Sequence, residues 1–353
     1  MSLSRMFLLA KRHFVSFARH NTMKKLANLC RVYYHYFRGS TTVKGHPFEI
    51  IIDPVNMCNL KCPLCVTGQG KNTRKLGIMP FENLKKIIDE LSPWLYKVRF
   101  YSWGEPLLHK DIYSMIAYAA QRNIATEMST NFTRSSPADL GKLIDSGLEN
   151  LIVSLDGASE ATYSRYRVGG SFKVVVENIR TLIQQRKARQ RRYPEVEVQF
   201  LVMKHNEHEI DAIRELAEEL GVDRIRIAPL TVNVNDTEQA YTWLPRDEKW
   251  SRYSYGNYDD KVYTKRKRCE WLWRSMVFNW DGSVSPCCVY EGPKSDLGSV
   301  QEASLQEVWN NEQYRSARGV FNENQKSGSE PHTICGRCKG IPRALEKDQH
   351  GLY

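Results

Sequence analysis

Between residues 49 and 230 the chain alternates short apolar runs with longer amphipathic stretches. The runs have the length of buried strands, and the stretches repeat apolar residues at three- and four-residue steps, as helices do. Such alternation favours an α/β fold with a parallel sheet joined by right-handed crossovers. We predict strands at residues 49–53, 98–103, 126–130, 151–155, 196–203 and 224–229. We predict helices at residues 81–91, 112–121, 137–146, 172–190 and 207–220.

The residues that precede this region form an amphipathic arm. Apolar side chains recur at helical spacing on both sides of a polar break at residues 20–22, which predicts one or two helices. Two interpretations stay open. The apolar side packs on the core, or the arm lies on an anionic membrane surface. The apolar positions are Phe7, Ala10, Phe14, Phe17, Leu26, Leu29, Tyr33, and either Tyr36 or Phe37.

The alternation stops after residue 230. The next segment is rich in aromatic and polar residues and ends in a basic run, which is typical of a linker or a loop over an active site. Beyond it we predict a small β-rich module, with strands at 276–280 and 283–285 around the turn Asp281-Gly282 and a helix at 305–315. The predicted divisions are an arm (1–46), an α/β core (47–230), a linker (231–268), a C-terminal module (269–341) and a tail (342–353).

Composition and charge narrow the class of protein. The 353 residues are 41% hydrophobic and 26% charged, as in ordinary globular proteins. No apolar stretch approaches the ~18 residues of a membrane span, and the run 6–10 is too short for a secretory signal. All nine lysine and arginine residues of the arm precede the first acidic residue, Glu49, and the whole chain has a net charge of +11. We expect no nucleic acid partner, because the aromatic residues of the arm form a packing stripe.

The nine cysteines are grouped in a way that favours metal ligation over disulfides. This predicts a reducing, cytoplasmic location, peripheral at the inner membrane surface if the arm binds lipid. Three of them, Cys58, Cys62 and Cys65, share one short loop after the first predicted strand. A [4Fe–4S] cluster takes four thiolates, and so does a closed zinc site. Three thiolates therefore leave one metal coordination position open for a cofactor or substrate. A zinc knuckle is the alternative interpretation.

The spacing of these cysteines resembles the cluster loop of the radical S-adenosylmethionine (SAM) enzymes. The resemblance implies a partial (β/α)6 TIM-like barrel, in keeping with six strand–helix units rather than eight. It implies that Cys58, Cys62 and Cys65 hold a [4Fe–4S] cluster whose fourth iron binds SAM. One electron then cleaves SAM to a 5′-deoxyadenosyl radical, which abstracts hydrogen from a substrate C–H bond. An external electron donor of the flavodoxin or ferredoxin type is implied as well.

Segments at the ends of later strands are similar to the SAM-binding motifs of that family. Residues 102–106 are similar to its Gly-Gly-Glu-Pro motif, with Trp103 in place of the first glycine. Residues 129–131 are similar to its Thr-Asn-Gly turn, with Phe132 in place of the glycine. Residues 153–157 and 166–170 are similar to its Ser-Leu-Asp-Gly and Tyr-Arg-x-Gly-Gly segments. The implied SAM contacts are Gly104, Glu105, Ser129, Asn131, Ser154 and Arg167.

By the same resemblance, Glu105 receives the methionine ammonium, Arg167 the methionine carboxylate, and Ser154 a ribose or carboxylate group. Asp156 has a simpler interpretation, as a turn residue or as the N-cap of the helix that follows.

A second group of cysteines lies in the C-terminal module. Four thiolates are enough to close a metal site, and the segment resembles the SPASM or twitch extension of radical SAM enzymes. The resemblance implies an auxiliary [4Fe–4S] cluster, and a zinc ribbon is the alternative. The adjacent Cys288 is then spare, either a hydrogen-atom donor to a substrate radical or a small buried apolar residue. The implied ligands are Cys269, Cys287, Cys335 and Cys338.

Three hypotheses for function follow. The first is a radical SAM oxidoreductase, in which the auxiliary cluster takes the electron of the substrate radical. The second is an epimerase or an enzyme that modifies ribosomal peptides, with Cys288 as hydrogen donor. The third is a membrane- or carrier-tethered component whose arm recruits a partner. No motif identifies the substrate, which is a small molecule or a peptide.

Overall fold

The computed structural model describes residues 17–232, 237–255, 268–321 and 333–338. The start of the predicted arm (1–16), parts of the predicted linker (233–236 and 256–267) and the predicted tail lie outside the described residues. None of the helices in the described ranges combines the length and apolar content that crossing a bilayer requires.

One sheet organises the described part of the chain. Its strands are β1 (Glu49–Ile52), β2 (Lys97–Phe100), β3 (Ala125–Thr130), β4 (Asn150–Ser154), β5 (Glu195–Val202), β6 (Arg224–Pro229), β7 (Ser275–Phe278), β8 (Ser283–Ser285) and β9 (Gly298–Ser299). They lie in the order β6-β5-β4-β3-β2-β1-β7-β8-β9. Strands β1 to β6 pair in parallel. The predicted partial barrel is thereby confirmed.

Helices precede, connect and follow these strands. They are α1 (Met23–Arg38), α2 (Phe81–Leu91), α3 (Ile112–Ala120), α4 (Pro137–Asp145), α5 (Glu160–Tyr166), α6 (Phe172–Ala188), α7 (Ile210–Leu220), α8 (Thr237–Trp243), α9 (Trp271–Arg274), α10 (Leu305–Trp309) and α11 (Glu312–Gly319). In β1, Ile50 and Ile52 are fully buried in the same apolar cluster as Leu84 and Ile87 of α2. The apolar spacing of the sequence therefore forms the core between helices and sheet.

Several boundaries differ from the prediction. Strand β2 ends at Phe100, three residues early, because the chain turns away there to form the segment 102–106. The predicted helix 207–220 begins with a 3-10 turn, Glu207–Glu209, and continues as α7. The predicted helix 305–315 is two helices, since Asn311 accepts a hydrogen bond from the backbone of Tyr314 and so starts α11 afresh.

The C-terminal module is joined to the barrel sheet. The predicted hairpin is present as β7 and β8, which pair antiparallel. Strand β7 also pairs in parallel with β1 along its whole length, from Glu49 opposite Ser275 to Ile52 opposite Phe278. The module therefore extends the sheet beyond the six predicted strands, next to the strand that leads into the cysteine loop.

The described part of the arm packs on the barrel. Thr22, in the predicted polar break, caps α1 by accepting a hydrogen bond from the backbone of Lys25. The inner side of α1 is buried, and Asn28 on that side exchanges two hydrogen bonds with the backbone of His46. Val32 belongs to the main apolar cluster. The inner side of the helix thus matches the packing interpretation of the arm.

Candidate functional site

The predicted functional segments meet at one edge of the sheet, which we call the barrel mouth. The cysteine loop follows β1, Gly104 and Glu105 follow β2, Asn131 follows β3 and Asp156 follows β4. Parallel strands bring their carboxyl ends to the same edge, so segments that are far apart in sequence become neighbours there.

The three loop thiols lie close enough to influence one another. Burial raises the pKa of Cys62 to about 11, and charge on Cys65 and Cys58 adds to this effect. Burial also raises the pKa of Cys58, again with a contribution from Cys65. In the part of the chain that the structure describes, no three Cys, His, Asp or Glu side chains surround a single-ion site. Three soft donors on one loop fit a cluster with one iron left for another ligand.

Neighbouring strand ends hold the cysteine loop in place. The side-chain amide of Asn131 donates to the Sγ atom of Cys58 at 3.7 Å and to the side-chain carbonyl of Asn59 at 3.0 Å. The backbone N–H of Lys61 donates to the carbonyl of Val168 at 2.8 Å. The loop is therefore fixed from β3 on one side and from the segment after α5 on the other.

Gly104 brings the loop after β2 into direct contact with the cysteine loop. A Cβ atom at this position would lie 1.7 Å from the carbonyl oxygen of Val55, so only glycine fits. The next backbone N–H, of Glu105, donates to the carbonyl of Met57 at 2.8 Å. This close approach explains why position 104, one of the SAM contacts that the sequence motifs imply, is a glycine.

The carboxylate of Glu105 is buried between β2 and β3. It accepts hydrogen bonds from the hydroxyl of Thr130 at 2.6 Å, the backbone of Asn131 at 2.7 Å and the backbone of Leu107 at 3.0 Å. Burial raises the pKa of Glu105, and these donors oppose that rise. A carboxylate has about four acceptor positions, so the side chain fixes the strand ends and retains one position for a ligand.

Asp53, which belongs to none of the sequence motifs, supports the same loop. It is fully buried at the end of β1, and its Oδ1 atom accepts the backbone N–H of Trp103 at 3.1 Å. Its Oδ2 atom has no partner among the described residues. Burial raises the pKa of Asp53 to about 7. The signal in the sequence was an acid ending an otherwise apolar strand.

Arg167 links the segment after β4 to the cysteine loop. Its guanidinium pairs with the buried carboxylate of Asp156 at 2.6 Å and donates to the Sγ atom of Cys62 at 3.9 Å. Asp156 also accepts the backbone N–H of Leu201 at 2.7 Å. The N-cap of α5 is Ser159, not Asp156. The N-cap interpretation of Asp156 is therefore wrong, because its carboxylate is engaged by Arg167 and β5.

The inner face of the barrel is unusually polar. Cross-strand register puts Arg99 beside Glu127, Ser129 beside Ile152, and Ser154 beside Gln199, all on the face away from the helices. Ser129 and Ser154 thus belong to this face near the mouth. Ion pairs cover much of it: Arg99 with Glu49 and Glu127, Arg224 with Glu195 and Glu197, and Arg226 with Glu197.

This polar lining was missed at the sequence level, although a signal existed. Residues 97–101, which include β2, alternate Lys97, Arg99 and Tyr101 with apolar residues, and β5 and β6 alternate in the same way. Strands buried on both faces are normally apolar throughout. Alternation in a parallel sheet therefore indicates a polar interior.

The four cysteines of the C-terminal module converge. Burial raises the pKa of Cys287 to about 12, with contributions from Cys269 and Cys338. Burial likewise raises the pKa of Cys335 well above its usual value, with contributions from Cys287, Cys269 and Cys338. Four thiols from three distant stretches of chain supply the donor set of an iron–sulfur cluster, and among the described residues they do not surround a single-ion site.

Cys288 has different surroundings from Cys287. Burial raises its pKa, and the positive charge of Arg99 opposes this. Burial also raises the pKa of Tyr101 above the usual range, with a contribution from Cys288. Cys288 therefore lies near Arg99 and Tyr101, on the polar inner face of the barrel.

Comparisons with known proteins match both parts of this site. A family model for the Radical SAM superfamily matches residues 52–217, and one for the SPASM iron-sulfur cluster-binding domain matches residues 269–339. The chain is 30% identical to an AdoMet-dependent heme synthase of Methanosarcina barkeri, over 84% of this chain and 93% of that protein. It is 26% identical to the mycofactocin maturase MftC of Mycobacterium tuberculosis, over 53% of this chain and 49% of that protein.

Solved structures agree at the level of the fold. Streptococcus suis SuiB bound to S-adenosylmethionine superposes with a TM-score of 0.63 at 16% identity, over 89% of this chain and 77% of that one. Native anSMEcpe with bound AdoMet superposes with a TM-score of 0.57 at 17% identity, over 87% of this chain and 93% of that one.

Proposed function

The chain belongs to the radical SAM superfamily and carries a SPASM iron–sulfur domain, and from this premise we propose that it oxidises an organic substrate by hydrogen abstraction. The two domains imply a SAM-binding [4Fe–4S] cluster, SAM and an auxiliary iron–sulfur cluster. When bound, these groups supply reductive cleavage of SAM to the 5′-deoxyadenosyl radical and acceptance of the substrate electron. Removal of a hydrogen atom, an electron and a proton leaves a product two hydrogens lighter.

One observation carries the assignment of the site. The thiols of Cys58, Cys62 and Cys65 lie on one loop at the barrel mouth, braced by Asn131 and Arg167. In this proposal the three thiols hold the first cluster, and Glu105, Arg167, Gly104, Ser129, Asn131 and Ser154 surround SAM. Cys269, Cys287, Cys335 and Cys338 hold the auxiliary cluster.

The proposed substrate is a polar small molecule or a peptide. The charged inner face of the barrel favours a molecule with polar groups over an apolar one. Relatives of the chain are named as a heme synthase, a cofactor-modifying protein and a mycofactocin maturase. SuiB, which shares the fold, has been crystallised with its precursor peptide SuiA. An external flavodoxin- or ferredoxin-like protein supplies the electrons.

A second candidate function is supported by the position of Cys288. Its thiol lies near Tyr101 and Arg99 on the inner face. A thiol there would return a hydrogen atom to a substrate radical, which gives a product of equal mass with inverted configuration. The thiyl radical left on Cys288 would then take one electron from the external flavodoxin- or ferredoxin-like donor and one proton from water. This is the epimerase alternative.

The proposal is tested with anaerobically reconstituted protein. We expect about eight irons per chain, and release of 5′-deoxyadenosine from SAM when dithionite is added. The triple variant C58A/C62A/C65A should keep about four irons. It should release no 5′-deoxyadenosine. Protein that binds no SAM, or that binds one zinc at the three-cysteine loop, would contradict the proposal.

A further inference from the structure

We propose that the outer face of α1 is a docking surface for an anionic lipid bilayer, and that it holds the barrel with its mouth turned away from the membrane. This extends the membrane association left open for the arm and specifies the face and the orientation. The inference does not rest on the proposed reaction, since lipid binding and SAM cleavage are measured separately.

The outer face of α1 carries exposed apolar side chains in a line. Met23 is 81% exposed, Tyr34 is 56% exposed and Phe37 is 71% exposed. Residues three and four positions apart lie side by side on a helix, so with the exposed Ala27 and Cys30 they form one continuous stripe. We call this the outer stripe: Met23, Ala27, Cys30, Tyr34 and Phe37.

A line of positive charge runs beside the outer stripe. Lys24, Arg31 and Arg38 follow one another at seven-residue steps, which is two helical turns, and all three are exposed. Among the described residues no carboxylate forms an ion pair with any of them. Helix α1 contains no acidic residue, and none precedes Glu49 in the whole chain.

This combination fits a lipid surface better than a protein partner. Basic residues next to exposed aromatic and aliphatic side chains are the pattern of helices that lie in the interface of an anionic membrane. The buried side of α1, with Lys25, Asn28 and Val32, is already committed to the barrel. Only the outer face is available, and its charge is complementary to acidic headgroups.

The arm contacts the barrel at the end opposite the mouth. Asn21 accepts a hydrogen bond from the hydroxyl of Tyr96 at 2.6 Å, directly before β2. Lys25 donates to the carbonyl of Asn123 at 2.6 Å, just before β3. His20 lies 2.6 Å from the carboxylate of Glu149, directly before β4. A bilayer on the outer face of α1 therefore leaves the cysteine loop facing water.

The test is co-sedimentation of the full-length, cluster-loaded protein with vesicles. We expect pelleting with vesicles that contain phosphatidylglycerol and little with phosphatidylcholine alone. The variant K24Q/R31Q/R38Q should lower binding by about 100-fold, and Y34S/F37S by at least about tenfold. The matched control K86Q/K173Q/K187Q removes three exposed charges from other helices and should bind like the wild type.

Other outcomes would overturn the inference. One is that K24Q/R31Q/R38Q binds vesicles as well as the wild type does. Another is that the control variant loses as much vesicle binding as K24Q/R31Q/R38Q. A wild-type dimer that dissociates on the Y34S/F37S change, seen by sedimentation velocity without lipid binding, would assign the face to a second copy. Release of 5′-deoxyadenosine should be unchanged in all variants and in the presence of vesicles. Inhibition by vesicles would show that the bilayer covers the mouth and would overturn the orientation.

Discussion

The guanidinium of Arg167 donates a hydrogen bond to the Sγ atom of Cys62 over 3.9 Å. The same guanidinium pairs with the fully buried Asp156, which fixes its position. Hydrogen bonds and positive charge near a thiolate ligand stabilise the reduced, more negative state of an iron–sulfur cluster. Arg167 is therefore placed to tune the reduction potential of a cluster held by Cys62.

Removing this hydrogen bond should make the cluster harder to reduce. We suggest the double variant D156N/R167Q, because substitution of Arg167 alone would leave Asp156 as an unpaired buried charge. Loss of one charge-assisted hydrogen bond is worth about 1.5 kcal/mol, which for a one-electron couple is about 60 mV. A redox titration followed by electron paramagnetic resonance should show a shift of this size to more negative potential. R165Q, on the exposed side of α5, is the control and should leave the potential unchanged.

Replacement of Glu105 by Gln should weaken SAM binding without loss of the cluster. The amide would present a donor to the backbone N–H of Asn131, which the carboxylate now accepts at 2.7 Å. It would also remove the negative charge proposed to meet the methionine ammonium. Removing one charge of a buried ion pair weakens the free energy of binding by about 2 kcal/mol or more. The Kd for SAM should therefore rise at least about 30-fold.

Isothermal titration of the reconstituted protein measures this change, and iron analysis shows whether the cluster is retained. E82Q, which alters an exposed glutamate on α2, is the matched control. If E105Q binds SAM as tightly as the wild type, Glu105 serves only to hold the ends of β2 and β3 together.

The strands of the barrel were predictable because each is a short run with closely spaced apolar positions, and it lies between helical stretches. Strand β6 has the predicted bounds, Arg224–Pro229. The mutual proximity of the mouth segments also followed from the parallel order of β1 to β4. These features depend on local sequence and on one topological rule.

Other features depend on contacts between distant parts of the chain. The pairing of β7 with β1 joins residues more than two hundred positions apart, and nothing in either strand specifies its partner. The different surroundings of Cys287 and Cys288 follow from the path of the chain after β8, which spacing does not encode. Asp53 braces Trp103 across two strands, and only the folded structure brings them together.

The raised pKa of Asp53 predicts that the free energy of unfolding decreases as pH rises. Burial raises its pKa to about 7, whereas the unfolded chain has the ordinary value of 3.8. At pH values between these two pKa values the folded state holds a proton on Asp53 that the unfolded state has lost. The contribution of Asp53 to stability is therefore fully present below pH 3.8 and is lost as pH rises through 7. From pH 6 to pH 8 the free energy of unfolding should fall by about 1.4 kcal/mol.

The variant D53N isolates this effect. Asparagine stays neutral and its carbonyl still accepts the N–H of Trp103, so the variant should lack this pH dependence. Urea unfolding of both proteins at pH 6 and pH 8 provides the comparison, in which other titrating groups cancel. An equal loss of stability in both proteins would assign the pH dependence to groups other than Asp53.

The adjacent pair Cys287 and Cys288 should respond differently to substitution, because only Cys287 lies among the other three thiols of the module. C287A should lower the iron content from about eight to about four per chain, and C288A should leave it unchanged. Cys30 is exposed on α1, so C30A controls for the loss of any thiol.

Under the oxidation proposal, C288A also keeps its turnover and still yields a product two hydrogens lighter. Mass spectrometry of the product made in heavy water checks this. A wild-type product of unchanged oxidation level with one solvent-derived deuterium, absent from C288A, would establish the epimerase alternative, since a thiol exchanges its hydrogen with water before it donates to the substrate radical. Loss of the auxiliary cluster in C288A rather than in C287A would show that the chain after β8 directs the opposite thiol toward the other three cysteines.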